Sequence, residues 1–185
     1  MITPEQLAAA CDCTPERALR WAGPLGEAMQ VFDIDTPARQ AAFLAQVSHE
    51  SGRLLWVREL WGPTPVQLHY EGRADLGNVR PGDGRRYLGR GPIQITGRAN
   101  YRRAFEQLRE LVRETPNFEN WPEALEISRW GALAAGEFWH RHGLNELADA
   151  DTADACRAIT KRVNGGETGL ADRLALWQGA CRVLA

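Results

Sequence analysis

Ala41-Ala42-Phe43-Leu44-Ala45-Gln46-Val47-Ser48-His49-Glu50-Ser51-Gly52 is the stretch on which the reading of this chain turns. Ala41, Leu44 and Val47 recur at the spacing of one helix face. Ser51-Gly52 then ends the helix, since glycine accepts the left-handed backbone that commonly follows a C-terminus. Glu50 falls in the last turn, where the helix dipole works against a negative charge. Leu54, Leu55 and Trp56 follow closely. A carboxyl group held against apolar bulk keeps its proton more readily, which is what a general acid for cleaving a glycosidic bond requires. The plainer alternative is a solvated glutamate at a helix end.

Glu59 lies nine residues further on. On one unbroken helix that interval turns through about 900°, which puts the two side chains on opposite faces. The break at Ser51-Gly52 removes the constraint and lets the chain turn back, so that two carboxylates can face each other across a cleft. Inverting glycosidases hold such a pair roughly 6.5–9.5 Å apart, leaving room for a water, and retaining enzymes hold it closer. The spacing in sequence does not choose between them. Arg58 beside Glu59 is read either as the cation that keeps a base ionised or as a surface pair.

Outward from this segment the chain reads as mainly helical. Thr3-Pro4, Thr14-Pro15 and Thr36-Pro37 each place a capping residue before a proline at the first helical position. Helices are expected near 4–11, 15–31 (either continuous or broken at Gly23-Pro24), 37–50, 98–114, 122–142, 152–163 and 169–184. In the last, Leu170, Leu174, Trp177, Cys181 and Leu184 form one apolar stripe. Gly62 to Gly97 differs, with eight glycines and four prolines, a density that excludes a long helix. Ile93 and Ile95 alternate with Gln94 and Thr96 as in a short strand. A single domain, 1–185, is expected, with two helical lobes, a loop-rich middle at about 62–97 and a central cleft.

The 185 residues carry a formal net charge of −2, but unevenly. Residues 71–103 hold eight arginines and three acids, +5, against −7 for the other 152 residues. That block is expected to margin a cleft or to pair with the protein's own acids. No metal or other cofactor is expected: Cys11 and Cys13 are one residue apart, and neither Cys156 nor Cys181 has a histidine at ligand spacing. Free thiols on helix faces are the expectation, with any Cys156–Cys181 bond left open. Apolar runs fall far short of the ~18 residues needed to cross a bilayer, so no membrane insertion is expected. The N-terminus carries Glu5 and Asp12 and no early base, which is unlike a secretion signal. Residues 3–31 are also compatible with a helix–turn–helix. There Glu5, Asp12, Glu16, Glu27 and the neighbouring Asp33 outnumber Arg17 and Arg20, so nucleic acid is not an expected partner.

Several segments together bear a resemblance. Residues 42–51, Ala-Phe-Leu-Ala-Gln-Val-Ser-His-Glu-Ser, resemble the segment around the catalytic acid of glycoside hydrolase family 19, the plant-chitinase-like group. Tyr87-Leu88-Gly89-Arg90-Gly91-Pro92-Ile93-Gln94-Ile95-Thr96 is similar to that family's Y-x-G-R-G-P-I-Q-[IL]-[ST] motif. Asn100-Tyr101, then Ile159-Thr160 with Val163-Asn164-Gly165-Gly166, then Ala171-Asp172-Arg173 follow in the family's order. The short interval between carboxylates and the N-terminus are similar to bacteriophage endolysins of the family.

The resemblance implies a lysozyme-like fold of α+β type and hydrolysis of β-1,4 bonds between N-acetylated sugars, with inversion and without a cofactor. Glu50 would be the general acid, Glu59 the base and Thr96 the hydroxyl that helps hold the attacking water. Gln94, Asn100, Tyr101 and Asn164 would contact the sugar. His49 would orient the acid or line the cleft floor. Arg173 would tune the proton of Glu50, with Glu167 as a third partner. Glu167 comes one residue earlier than in the plant pattern. Peptidoglycan glycan strands are the expected partner and chitin oligomers the alternative. The chain is expected to act as a monomer, made in the host cytoplasm and reaching the wall after holin-type release. A non-catalytic wall-binding protein and a lytic transglycosylase, which uses one glutamate and leaves an anhydro sugar end, are the other readings.

Overall fold

Threonine followed by proline opens helix after helix in the computed structural model, which describes residues 1–185. Thr3, Thr14 and Thr36 have extended backbones, and each side chain accepts from the N–H three residues on. They start α1 (Pro4–Cys11), α2 (Pro15–Val31) and α3 (Pro37–Glu50). Each such cap contributes about 1 kcal/mol. A fourth pair, Thr64-Pro65, starts the one-turn helix α4 (Pro65–Leu68), closed by a capping box with Gln67. Of the two readings of 15–31 the continuous one holds, and α2 runs through Pro24. The hydrogen bond that proline cannot donate is the one to the Arg20 carbonyl, and Arg20 is exposed, so water can take its place.

After α5 (Asp83–Arg86) come α6 (Arg98–Leu111), α7 (Ser128–Arg141), α8 (Leu144–Ala148), α9 (Ala153–Asn164) and α10 (Leu170–Leu184). The helix expected over 122–142 is two elements, a 3-10 helix at Pro122–Glu126 and α7, separated by the extended Ile127. The helix expected to reach 114 stops at Leu111, where Val112 turns extended. No helix is long and apolar enough to cross a membrane.

The core forms where α3 meets α10, α2 meets α7, and α1 packs on both α2 and α10. Helix α3 is its centre: every residue from Ala41 to Ser48 is buried, not one face alone. A helix buried all round has no solvent side to tilt toward, so its end is fixed in place. Phe43 meets Trp139 of α7 edge-on, with ring centroids 5.3 Å apart. On α10 the buried line is Arg173, Leu176 and Ala180, and the apolar stripe read from sequence flanks it half-buried. An arginine lies at the centre of a packed face because α3 offers it polar partners.

The glycine-rich middle holds α4, α5, a 3-10 turn at Ala74–Leu76 and no regular strand. Two isolated antiparallel bridges, Arg58 to Arg90 and Arg90 to Ile95, take the place of a sheet. The strand expected at 93–96 is therefore corrected to a turn. Gln94 N–H donates to Gly91 O at 3.1 Å, and Gln94 itself has φ +56°. Arg90 and Ile95 then exchange two backbone bonds at 3.0 and 2.8 Å. The alternation in burial survives the turn, with Ile93 and Ile95 in the core and Gln94 and Thr96 half-exposed.

Candidate active site

Glu50 is placed by the way α3 ends. Gly52 N–H donates to His49 O and Arg53 N–H to Ser48 O, the paired bonds of a Schellman stop. Gly52 has φ +58°, and a Cβ there would meet Trp56 Cδ1 at 2.8 Å. The turn carries Leu55 and Trp56 out to solvent, 46% and 49% exposed. Of the three apolar residues expected around Glu50, only Leu54 is buried. Its recorded partner is Arg173 of α10, whose Nη2 donates to Glu50 Oε1. Arg173 is 2% exposed and Glu50 21%. The other Arg173 amino group, Nη1, donates to Gln46 Oε1. Gln46 in turn donates to Thr160 Oγ1 of α9 at 3.3 Å. One guanidinium therefore ties together the three helices around the carboxylate.

Beside this pair lies another between the same helices. His49 Nδ1 is 2.6 Å from Asp172 Oδ2, and Arg53 donates to both Asp172 oxygens at 2.9 and 2.6 Å. Arg53, ahead of the other causes, holds the Asp172 carboxyl well below its ordinary value, at about 2.

Glu59 is held by the irregular middle. Its backbone N–H donates to Gly89 O at 2.8 Å, and Gly89 N–H donates back to its Oε2 at 3.0 Å. Oε1 accepts from Gln67 Nε2 at 3.0 Å and Tyr70 OH at 3.3 Å. Burial, ahead of the Glu59 charge, raises the Tyr70 phenol and keeps it a donor. Arg58 does not pair with Glu59; it points to Glu126 at 3.8 Å.

Gln94, Thr96 and Glu59 converge on the bare face of Gly89. A Cβ on Gly89 would lie 2.7 Å from Gln94 Oε1, 3.3 Å from Thr96 Oγ1 and 3.4 Å from Glu59 Oε2. The Gln94 amide nitrogen already donates to Gly91 O, and the Thr96 hydroxyl to Gln94 O, both at 2.9 Å. What the three offer toward Gly89 is lone pairs. Three acceptors at one place suit an occupant that donates, such as a water or an acetamido N–H. Gln94, Thr96 and Asn100 also line one hollow of about 250 Å³ with Phe138, Arg141 and His142. A second hollow of about 500 Å³ is bordered by Glu59, Trp56, Trp61 and Arg85.

Other expected members stand elsewhere. Tyr101 is corrected from a sugar contact to a core residue: it is fully buried, donates to Leu88 O at 2.5 Å and accepts from Arg90 Nη1 at 2.9 Å. Glu167 is not joined to Arg173; it pairs with Lys161 at 2.9 Å and faces Arg157 at 3.9 Å. Asn164 is the exposed last residue of α9, before Gly165 at φ +74°. The basic block is largely consumed internally. Arg73, Arg90, Arg98 and Arg102 pair with carboxylates, and Arg86 donates to the Glu119 and Asn120 carbonyls. Of the block, Arg85 reaches the hollow beside Glu59. All four cysteines are free thiols, Cys11 and Cys156 buried.

Sequence reasoning missed Gln67, Tyr70, Gln46, Asp172 and Arg53. Gln67 had a signal, since Thr64-Pro65-Val66-Gln67 repeats the Thr-Pro-x-Gln pattern of residues 3–6. Gln46 and Asp172 sit inside the segments that carry the resemblance, where nothing local separates a site residue from a neighbour.

No family model matches the chain. A Haemophilus influenzae protein named as containing a glycosyl hydrolase family 19 domain is 28% identical over 167 residues, 76% of this chain and 77% of that protein. An Arabidopsis thaliana endochitinase is 31% identical over 129 residues, 69% of this chain and 39% of its own length. Among solved structures, a bacterial family 19 chitinase superposes with a TM-score of 0.74 at 20% identity, covering 100% of this chain and 95% of that one. Chitinase C from Streptomyces griseus gives 0.67 at 21% identity, covering 99% and 76%. These structures share the mainly helical fold.

Proposed function

We propose that this chain is a chitinase-like glycoside hydrolase of family 19, as its relatives and fold support, and that it cleaves β-1,4 bonds between N-acetylated sugars by two-carboxylate acid–base hydrolysis. Glu50 is the general acid and protonates the leaving oxygen, with Arg173 holding its position. Glu59 is the base. The observation that carries the reading is the convergence of Glu59 Oε2, Thr96 Oγ1 and Gln94 Oε1 around Gly89. A water there can donate one proton to Glu59 and the other to Thr96 or Gln94, leaving its oxygen free to attack. Attack by a water held on the base inverts the anomeric carbon. Asn100, beside Gln94 and Thr96, and Asn164 serve as sugar contacts.

The proposed substrate is the peptidoglycan glycan strand, and the proposed role is lysis of a host cell from within. Arg85 supports this substrate: it is exposed at the hollow beside Glu59 and pairs with no carboxylate of its own. Stem peptides carry such carboxylates. Chitin is the second reading, favoured by the Arabidopsis relative's name. Mass spectrometry of digested peptidoglycan, with chitin oligomers run in parallel, tests both. Hydrated reducing ends at N-acetylmuramic acid are expected. Turnover of chitin oligomers alone would select the second reading, and anhydro ends would mean a transglycosylase and overturn both.

A further inference from the structure

His49 and Glu50 are consecutive on α3, and Asp172 and Arg173 are consecutive on α10. Consecutive helix residues point about 100° apart. The structure joins them as two parallel contacts, His49 to Asp172 and Glu50 to Arg173. Slipping or rotating either helix by one residue would break both at once. The Glu50–Arg173 contact is a single bond to the carboxylate; the other amino group of Arg173 is taken by Gln46, and its Nε is buried with no partner. The second contact is the more rigid one, because Arg53 grips Asp172 through both oxygens.

We propose that Asp172 is a positioning residue for Glu50: by bridging His49 and Arg53 it sets the register in which α10 presents Arg173 to the acid. The surrounding chain is built for this bridge. Arg53 stands at φ +65°, the residue after Gly52 in the helix stop, which turns it back toward α10. Its own carbonyl accepts from Arg17 at 3.3 Å. Gly169, just ahead of α10, has no Cβ where one would lie 2.3 Å from His49 Nε2. His49 is thus confined between the Gly169 backbone and the Asp172 carboxylate. The Asp172 carboxylate can only accept, so His49 presents its Nδ1–H to it. Asp172 lies in the first turn of α10, where the helix dipole favours its charge.

The proposal rests on Glu50 being the acid, and its test separates the two ideas. In Asp172→Asn, kcat on peptidoglycan or chitin oligomers should fall about tenfold or more while KM stays within about twofold, the pattern of a lost transition-state contact. Asp12→Asn removes only the outer partner of Arg53, 3.6 Å away and 81% exposed, and should leave kcat unchanged. The second readout needs no activity. The side-chain 13C signal of Glu50, titrated with pH, should differ between wild type and Asp172→Asn. A lowered melting temperature with unchanged kcat and a superimposable Glu50 titration would make Asp172 merely structural and overturn the proposal. If wild type turns over neither substrate, the proposed function fails. The titration then decides alone: a changed Glu50 curve supports the positioning role, and an unchanged one overturns it.

Discussion

Gly89 shows how much of the candidate site depends on one missing atom. Its φ lies outside the left-handed region, so alanine meets no backbone objection there. The objection is local: the new methyl would press on Gln94 Oε1 at 2.7 Å, backbone-anchored through Gly91, and crowd Thr96 and Glu59. Crowding of this kind typically costs about 1–3 kcal/mol in stability. Moving the oxygens proposed to hold the attacking water costs more in rate, about 100-fold for a misplacement near 1 Å. Gly89→Ala is therefore expected to fold, to melt roughly 2–12 °C below wild type and to lose about ten- to a hundredfold in kcat. Steady-state kinetics beside a thermal melt checks this. The glycine itself was legible within the Tyr87–Thr96 motif. That it is glycine because three side-chain oxygens need its face was not, since Glu59 comes from 30 residues away.

At the scale of elements, the Thr-Pro helix starts at residues 3, 14 and 36 were readable, whereas α7, which begins at Ser128 without a side-chain cap, was not. Thr3, Thr14 and Thr36 cap as written, because a threonine before a proline satisfies an N–H within its own turn and needs no distant partner. The end of α3 at Ser51-Gly52 was readable for the same reason. Open or mistaken readings arose where tertiary contacts decide. Pro24 left a break open but sits inside α2, whose packing against α7 outweighs one lost hydrogen bond. The alternation at 93–96 looked like a strand, yet four residues are too few to tell a strand from a turn between two paired residues, Arg90 and Ile95. The burial of Arg173 was invisible to an apolar count, which placed the face of α10 on Leu174 and Trp177. A polar side chain becomes core only when its partners, here Glu50 and Gln46, are known.

For the whole molecule, the uneven charge becomes an internal lattice of pairs. Asp83, almost fully buried, accepts from Arg98 through both oxygens, and Glu119 receives Arg102 and Arg98. Arg98 holds the Asp83 carboxyl below its ordinary value, and Arg102 does the same for Glu119. Asp172 is held at about 2 by Arg53. A carboxyl whose folded value lies below its unfolded one, ~3.9 for Asp, stabilises the fold above the unfolded value. That stabilisation is lost as pH falls through the folded value. Urea midpoints are therefore expected to drop between about pH 4 and pH 2, and Asp83→Asn, though less stable near neutrality, should flatten that drop. The expected basic margin thus shrinks to a few free arginines, Arg85 chief among them at the Glu59 hollow.

The proposed acid–base hydrolysis stands on Glu50 supplying the proton. It is tested most directly by the turnover of Glu50→Gln, measured as lysis of outer-membrane-permeabilised Gram-negative cells and as cleavage of chitin oligomers. Glutamine keeps an oxygen for Arg173 to donate to, so the fold and its melt should be retained while the proton is gone. A loss of about 10²–10⁴ in kcat is expected on whichever substrate the wild type cleaves. A folded Glu50→Gln that works at the wild-type rate would contradict it.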